Sequence, residues 1–148
     1  MILIDTCVLT RLADSASLEF PVARKAYAQL LHHEPMCIVP QNIYEFWAVA
    51  TRARGTIASG GQNGLGMEPE SAIWWIRHFQ RTCHVLPDRI DALKTWEAMV
   101  VQYRVKGFQA HDLKFVAAMQ VHGVSRILTF NLKHFKNYPI TVVDPASL

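Results

Sequence analysis

Short, mostly apolar runs alternate along this chain with longer stretches whose apolar residues have helical spacing. The apolar runs predict strands over residues 1–4, 36–39, 83–86, 126–129 and 141–143, and the other stretches predict helices over about 21–33, 42–54, 69–81, 90–105 and 110–122. Strands that alternate with helices in this way are typical of a parallel sheet covered on both faces. We therefore predict a three-layer α/β/α domain around a central, mostly parallel sheet of four to five strands.

The length of 148 residues indicates one domain, spanning residues 1–148. Hydrophobic residues make up 51% of the chain and charged residues 18%, which excludes disordered, collagen-like and coiled-coil classes. No stretch approaches the roughly 18 apolar residues of a membrane span, and the first strand leads directly into Asp5 without a basic leader. We therefore expect a cytoplasmic protein. Its cysteines, Cys7, Cys37 and Cys83, are expected to be buried and reduced.

The net charge of +3 is compatible with a polyanionic partner but does not by itself indicate one. The glycine-rich segment 60–66 lacks the Lys-Ser/Thr ending of a phosphate-binding loop and is predicted to be a flexible insertion. Nucleotide binding of the Rossmann type is also disfavoured, because no G-x-G-x-x-G motif follows the first strand.

Polar residues stand directly after three of the predicted strands. Asp5 follows the first strand, Asn131 follows the fourth, and Asn42 and Glu45 lie on the first turn of the helix after the second. Open parallel sheets place their chemistry outside the carboxyl ends of the strands, near the point where the strand order reverses. These residues are therefore the first candidates for a functional site.

Asp112 opens a later helix. The apolar stripe of Phe115, Val116 and Met119 directs it toward the edge of the core. If it meets Asp5 and Glu45 in space, the three carboxylates suit a hard cation such as Mg²⁺ or Mn²⁺. Such an ion polarises a phosphoryl group and activates a bound water, which favours phosphodiester hydrolysis.

Each acid also has a purely structural interpretation. Asp5 is a favoured residue type for a helix N-cap, and Asp112 complements the dipole of the helix that it opens. Glu45 fits an ordinary exposed position on a helix. The functional interpretation depends on the three positions being brought together by the fold.

Four segments, taken in order, carry a resemblance to a known family. They are Ile-Asp-Thr-Cys-Val-Leu at 4–9, Asn-Ile-Tyr-Glu-Phe-Trp at 42–47 with Ala-Thr-Arg at 50–52, Gly-Phe-Gln-Ala-His-Asp at 107–112, and Ile-Leu-Thr-Phe-Asn at 127–131 with Phe135. Over essentially the whole chain they resemble the PIN domain, in particular the VapC-like toxin ribonucleases of bacterial toxin-antitoxin pairs.

The resemblance implies a Mg²⁺- or Mn²⁺-dependent endoribonuclease, usually a homodimer, that is held inactive by an antitoxin inserted in or near the cleft. Asp5, Glu45 and Asp112 match the three most regular acidic ligands of the family. The chain departs from the family at the fourth acidic position, where it has Asn131 and, before Phe135, His134. This departure weakens a second metal site.

The mechanism that follows is a hypothesis. Asp5, Glu45 and Asp112 hold the ion directly or through water, a metal-activated water attacks the RNA phosphate in line, and Thr6 or Asn131 positions the nucleophile. The expected substrate-binding residues are Asn42, Arg52, His111 and Thr129. His111 lies beside Asp112 and could act as a general acid, but we favour an orientation the other way round the helix, in which it binds structure or substrate phosphate. Other basic residues expected near the phosphates are Arg54, Lys106, Lys114 and Lys133.

Two further interpretations remain open. A PIN-like domain with a degenerate acidic site could bind RNA or protein without cutting, whereas a haloacid dehalogenase-type phosphatase is disfavoured because Cys7 stands where that class needs a second acid. The helix over 69–81 carries Trp74 and Trp75 and is apolar on more than one face. It is predicted either to contact a second copy or the antitoxin, or to be buried on both sides.

Overall fold

The computed structural model describes residues 1–55 and 64–148. Its strands are β1 (Ile2–Ile4), β2 (Met36–Ile38), β3 (His84–Val85), β4 (Arg126–Leu128) and β5 (Thr141–Val143). Its helices are α1 (Thr6–Leu12), α2 (Phe20–His33), α3 (Pro40–Thr51), α4 (Pro69–Thr82), α5 (Ile90–Gln102), α6 (Gln109–Val121) and α7 (Leu132–Phe135), followed by a 3₁₀ turn at Pro145–Ser147. Most of the glycine-rich segment predicted to be an insertion lies outside the described residues.

The five strands form one sheet in the order β3-β2-β1-β4-β5, with every pairing parallel. This confirms the predicted α/β class. The strand order reverses between β1 and β4, where Ile4 pairs with Leu128 and the backbone N–H of Asp5 donates to the carbonyl of Leu128 at 3.0 Å. Residues that follow β1 and β4 therefore emerge side by side at the carboxyl edge of the sheet.

Two hydrophobic clusters lie on opposite faces of the sheet. Alternate residues of β1 supply both, since Ile2 and Ile4 pack in one cluster and Leu3 in the other. Buried residues of α1 to α4 belong to the first cluster, and those of α5, α6 and α7 belong to the second. This division gives the three layers that the sequence pattern predicts.

Several predicted boundaries differ from the observed ones. Helix α3 begins at Pro40, two residues earlier than predicted, because proline is well suited to the first position of a helix. Helix α5 ends at Gln102, not at 105, ahead of the left-handed backbone of Arg104. Strand β3 covers only two exposed residues at the sheet edge, where four were predicted, and the four-residue α7 was not predicted.

The cysteines behave largely as expected. Cys37 and Cys83 are buried, Cys7 is partly buried, and all three are free thiols. Burial raises the pKa of Cys37 to about 12. Among the described residues, no helix is both long and apolar enough to cross a bilayer.

Candidate active site

One cavity of about 640 Å³ at the carboxyl edge of the sheet brings together the three acids selected from the sequence. Asp5 follows β1, Glu45 lies in the middle of α3, and Asp112 lies in the first turn of α6. Asn131 and His134, which follow β4, line the same cavity. The cavity thus opens beside the reversal of strand order, where the topology of a parallel sheet concentrates functional residues.

Asp5 is almost fully buried, and several donors hold its carboxylate. Thr129 donates its hydroxyl to Oδ2 at 2.5 Å, and the thiol of Cys7 donates to the same oxygen at 3.1 Å. Oδ1 accepts the backbone N–H of Cys7 at 3.4 Å, so Asp5 also caps α1. The capping and the functional interpretations of Asp5 are therefore compatible. Burial and the charge of Asp5 raise the pKa of Cys7 to about 12, which keeps it a neutral thiol.

Both carboxylate oxygens of Glu45 are also held. Thr6 donates its hydroxyl to Oε2 at 2.7 Å, and Gln41 donates from Nε2 to Oε1 at 2.6 Å. The same Nε2 donates to the carbonyl of His111 at 3.0 Å, which joins α3 to the first turn of α6. Gln41 was missed in the sequence, although its position four residues before Glu45 places both side chains on one helix face. Its Oε1 is buried and has no hydrogen-bond partner within the described part of the chain.

Asp112 is half-buried beside His134, whose Nδ1 lies 3.1 Å from Oδ2. Burial raises the pKa of Asp112, the nearby His134 lowers it, and the charge of Asp5 raises it again. The net effect is a raised pKa. The charged form of Asp112 is therefore disfavoured, mainly because the side chain is half-buried.

Three more of the predicted site residues reach the cavity. Asn131, Arg52 and His111 all line it. The His111 ring packs against Phe108 with 6.5 Å between ring centroids and 29° between planes. Arg52 is the only one of the five basic residues singled out from the sequence that lines the cavity, while Arg54 pairs with Asp14 at 2.8 Å.

Asn42, predicted to contact substrate, has a fully buried side chain that the structure places outside the cavity lining. Its Oδ1 accepts from the backbone N–H of Val39 at 2.8 Å, and its Nδ2 donates to the carbonyl of Ile4 at 3.0 Å and to the Thr6 hydroxyl at 3.2 Å. Asn42 lies in the first turn of α3, and its side chain contacts the end of β1. Asn42 therefore holds the helix to the sheet.

Thr129, also predicted to contact substrate, likewise lies outside the cavity lining. Its side chain is fully buried, and its hydroxyl donates to Asp5 while accepting the backbone N–H of Asn131 at 2.9 Å. Thr6 lines the cavity, but its hydroxyl is committed to Glu45. Both threonines therefore orient carboxylates.

The donor atoms of the cavity are of the type that Mg²⁺ and Mn²⁺ prefer, namely carboxylate oxygens with the amide group of Asn131 beside them. Within residues 1–55 and 64–148, however, no group of three Asp, Glu, His or Cys side chains is gathered in a way that could hold an ion. Mg²⁺ usually keeps several waters and binds only one or two carboxylates directly. The residues present therefore fit a partly hydrated cation.

No protein-family model matches the sequence, and no curated protein resembles it. Solved structures, in contrast, share its fold. Mycobacterium tuberculosis VapC20, described as a sarcin-ricin loop cleaving toxin, has a TM-score of 0.72 at 13% identity, covering 95% of this chain and 97% of that chain. DNA-bound VapBC of Salmonella typhimurium has a TM-score of 0.68 at 17% identity, covering 98% of this chain and 99% of that chain. A toxin-antitoxin complex of Klebsiella pneumoniae has a TM-score of 0.66 at 20% identity, covering 98% of each chain. This protein therefore has the PIN-like fold of the VapC toxin structures over nearly its full length, which confirms the resemblance read from its motifs.

Proposed function

We propose that this protein is a Mg²⁺- or Mn²⁺-dependent endoribonuclease and the toxin of a toxin-antitoxin pair. The observation that carries the proposal is the cavity at the strand-order reversal, lined by Asp5, Glu45 and Asp112 from three separate elements. The fold shared with a sarcin-ricin loop cleaving toxin supports the same activity.

Asp5, Glu45 and Asp112 would hold the cation, in part through water. When bound, the cation polarises the RNA phosphate and lowers the pKa of an attacking water. Thr129 and Thr6 fix the carboxylates of Asp5 and Glu45 in advance, so little reorganisation is needed when substrate arrives. Asn131 positions the nucleophile, and Arg52 and His111 contact the phosphate backbone.

The partners follow from the same proposal. The Klebsiella structure is a toxin-antitoxin complex, and we expect this chain to bind an antitoxin of its own and to form a homodimer. Ile73 and Trp74 on α4 are exposed in the single chain. We propose that this apolar surface contacts the second copy or the antitoxin.

The test is RNA cleavage by the purified full chain with Mg²⁺, with Mn²⁺ and with EDTA. Asp5→Asn, Glu45→Gln and Asp112→Asn should each slow cleavage by about a hundredfold or more, the order seen when one active-site electrostatic contact is lost. Asp88→Asn and Glu97→Gln are matched controls, since both residues are exposed and lie outside the cavity. Cleavage that survives EDTA, or that survives Asp5→Asn, would refute the proposal. RNA binding without cleavage in either metal would favour the non-catalytic alternative.

A further inference from the structure

An aromatic side chain stands at the rim of the acid-lined cavity with almost no burial. Phe108 is 89% exposed and lines the cavity immediately before α6. It occupies the N-cap position of that helix without making a side-chain capping bond, where Ser, Thr, Asp or Asn would stabilise the helix better. The Phe108 side chain therefore contributes little to the core and does not cap the helix. Neither packing nor capping accounts for a phenylalanine at the rim of the cavity.

The ring of Phe108 is held in a defined arrangement with a second ring. The His111 ring packs against it in a stacked orientation, and the backbone N–H of His111 donates to the backbone carbonyl of Phe108 at 3.0 Å. Gln41 binds the His111 carbonyl from α3. Gly107 precedes the pair with φ +58°, a turn conformation that glycine adopts readily. The two rings thus stand on an anchored helical turn whose next residue is Asp112.

The surroundings of the pair indicate what would cover it. The same cavity contains Arg52 and the carboxylates that would hold the proposed cation, so a ligand that reaches both these groups and the rings combines a flat apolar face with negative charge. Unpaired nucleotides have both, because their bases stack on aromatic side chains and their phosphates bind cations. Bases inside a duplex have no free face to offer.

We propose that Phe108 and His111 form a stacking platform for one unpaired nucleobase next to the reacting phosphate. The proposal rests on the proposed function and adds to it the two side chains that would hold a base beside that phosphate. An antitoxin segment is the other possible occupant, and the test separates the two.

The test measures binding of short fluorescent single-stranded RNAs of randomised sequence, in Mg²⁺, to full chains that carry Asp5→Asn to prevent cleavage. A chain of the same sugar-phosphate backbone without bases serves as the second probe. Phe108→Ala and Phe108→Leu should each weaken RNA binding about tenfold, since stacking of one base has that order of effect. Phe108→Trp should keep most of the wild-type affinity, and the base-free chain should bind all variants equally. Val101→Ala is the control, because Val101 is 76% exposed on α5, outside the cavity.

The proposal is overturned if Phe108→Ala binds RNA like the parent protein, if Phe108→Leu does so, or if the base-free chain loses as much affinity as RNA. Unchanged RNA binding would leave a protein partner as the occupant of this surface. Cleavage by the protein with Asp5 intact is measured separately. If RNA binding depends on Phe108 but no cleavage is detected, only the proposed nuclease activity is refuted. If Phe108→Ala leaves the cleavage rate unchanged, only the stacking platform is refuted.

Discussion

His134 contacts Asp112 through Nδ1, 3.1 Å from Oδ2, at the position where the PIN-domain resemblance leads one to expect a fourth acid. The chain thus places an imidazole against Asp112 where another carboxylate would repel it. Burial nevertheless dominates, and the pKa of Asp112 is raised. The folded protein therefore disfavours the charged form that cation binding needs.

The first prediction follows from the raised pKa of Asp112. A carboxyl group whose pKa is raised by folding stabilises the fold fully only in acid, and that contribution is lost as the pH rises through its folded pKa. Asp112→Asn, neutral at every pH, should therefore melt a few degrees higher than the unchanged protein at pH 7 in EDTA, at about 2–4 °C per kcal/mol for this size. The gain should vanish below about pH 4, where the aspartate is itself protonated.

Thermal melting at both pH values measures this effect. Asp88→Asn is the control and should leave the melting temperature nearly unchanged, because Asp88 is exposed. A lower melting temperature for Asp112→Asn at pH 7 would show that the contact with His134 outweighs burial.

The second prediction concerns the buried hydroxyl of Thr129. Thr129→Val keeps the shape of the side chain but removes the donor to Asp5 and the acceptor for the N–H of Asn131. Leaving such buried groups unpaired costs about 1–3 kcal/mol, so the free energy of unfolding should fall by that amount and cleavage should slow. Urea denaturation and cleavage rates check both effects.

Thr129→Ser retains the hydroxyl and should keep most of the activity. Thr141→Val, at an exposed position on β5, should change neither quantity. If Thr129→Val unfolds at the wild-type urea concentration, the hydroxyl does not hold Asp5 in the way that the distances indicate.

The third prediction concerns Gln41, whose Nε2 joins Glu45 to the His111 carbonyl. Gln41→Met preserves size and removes both hydrogen bonds, so the carboxylate of Glu45 loses one of its two supports. Loss of a group that orients a metal ligand typically lowers metal affinity or activity about 10–100-fold. The Mg²⁺ concentration for half-maximal cleavage should therefore rise within that range.

Calorimetric Mg²⁺ binding provides a second measurement that does not depend on activity. Gln80→Met, on the exposed side of α4, is the matched control. An unchanged Mg²⁺ requirement in Gln41→Met would make Gln41 only a packing residue.

The fourth prediction concerns the aromatic surface of α4. Trp74 is 58% exposed and packs at 5.1 Å, centroid to centroid, on Trp75, which contacts the core. Trp74→Glu should leave the fold and cleavage intact while weakening self-association or antitoxin binding, because a charge is costly to bury in an apolar contact. Light scattering with size exclusion, and titration with the antitoxin, measure the two contacts.

Leu18→Glu changes a residue that is 97% exposed and precedes α2 in the chain, so it should leave both contacts intact. If Trp74→Glu self-associates and binds the antitoxin as strongly as the unchanged protein does, α4 is not part of either interface.

The local pattern of the sequence was sufficient for the architecture. The spacing of apolar residues is a property of neighbouring positions, and burial on both faces of a parallel sheet requires the solid apolar runs at β1, β2 and β4. The placement of Asp5 after β1 could be predicted on the same grounds. So could the position of Asp112, since the apolar stripe of α6 directs it toward the core edge.

Tertiary structure alone decided which side chains hold the carboxylates and which face the cavity. The bond from Thr129 to Asp5 joins residues 124 positions apart, and the bond from Gln41 to the His111 carbonyl spans 70. Such partners are chosen by the packing of α3 and α6 against the sheet, which no local spacing records. For this reason the sequence could identify Asp5, Glu45 and Asp112 as acids near one edge, while the burial of Asn42 and Thr129 and the exposure of Phe108 became visible only in the folded chain.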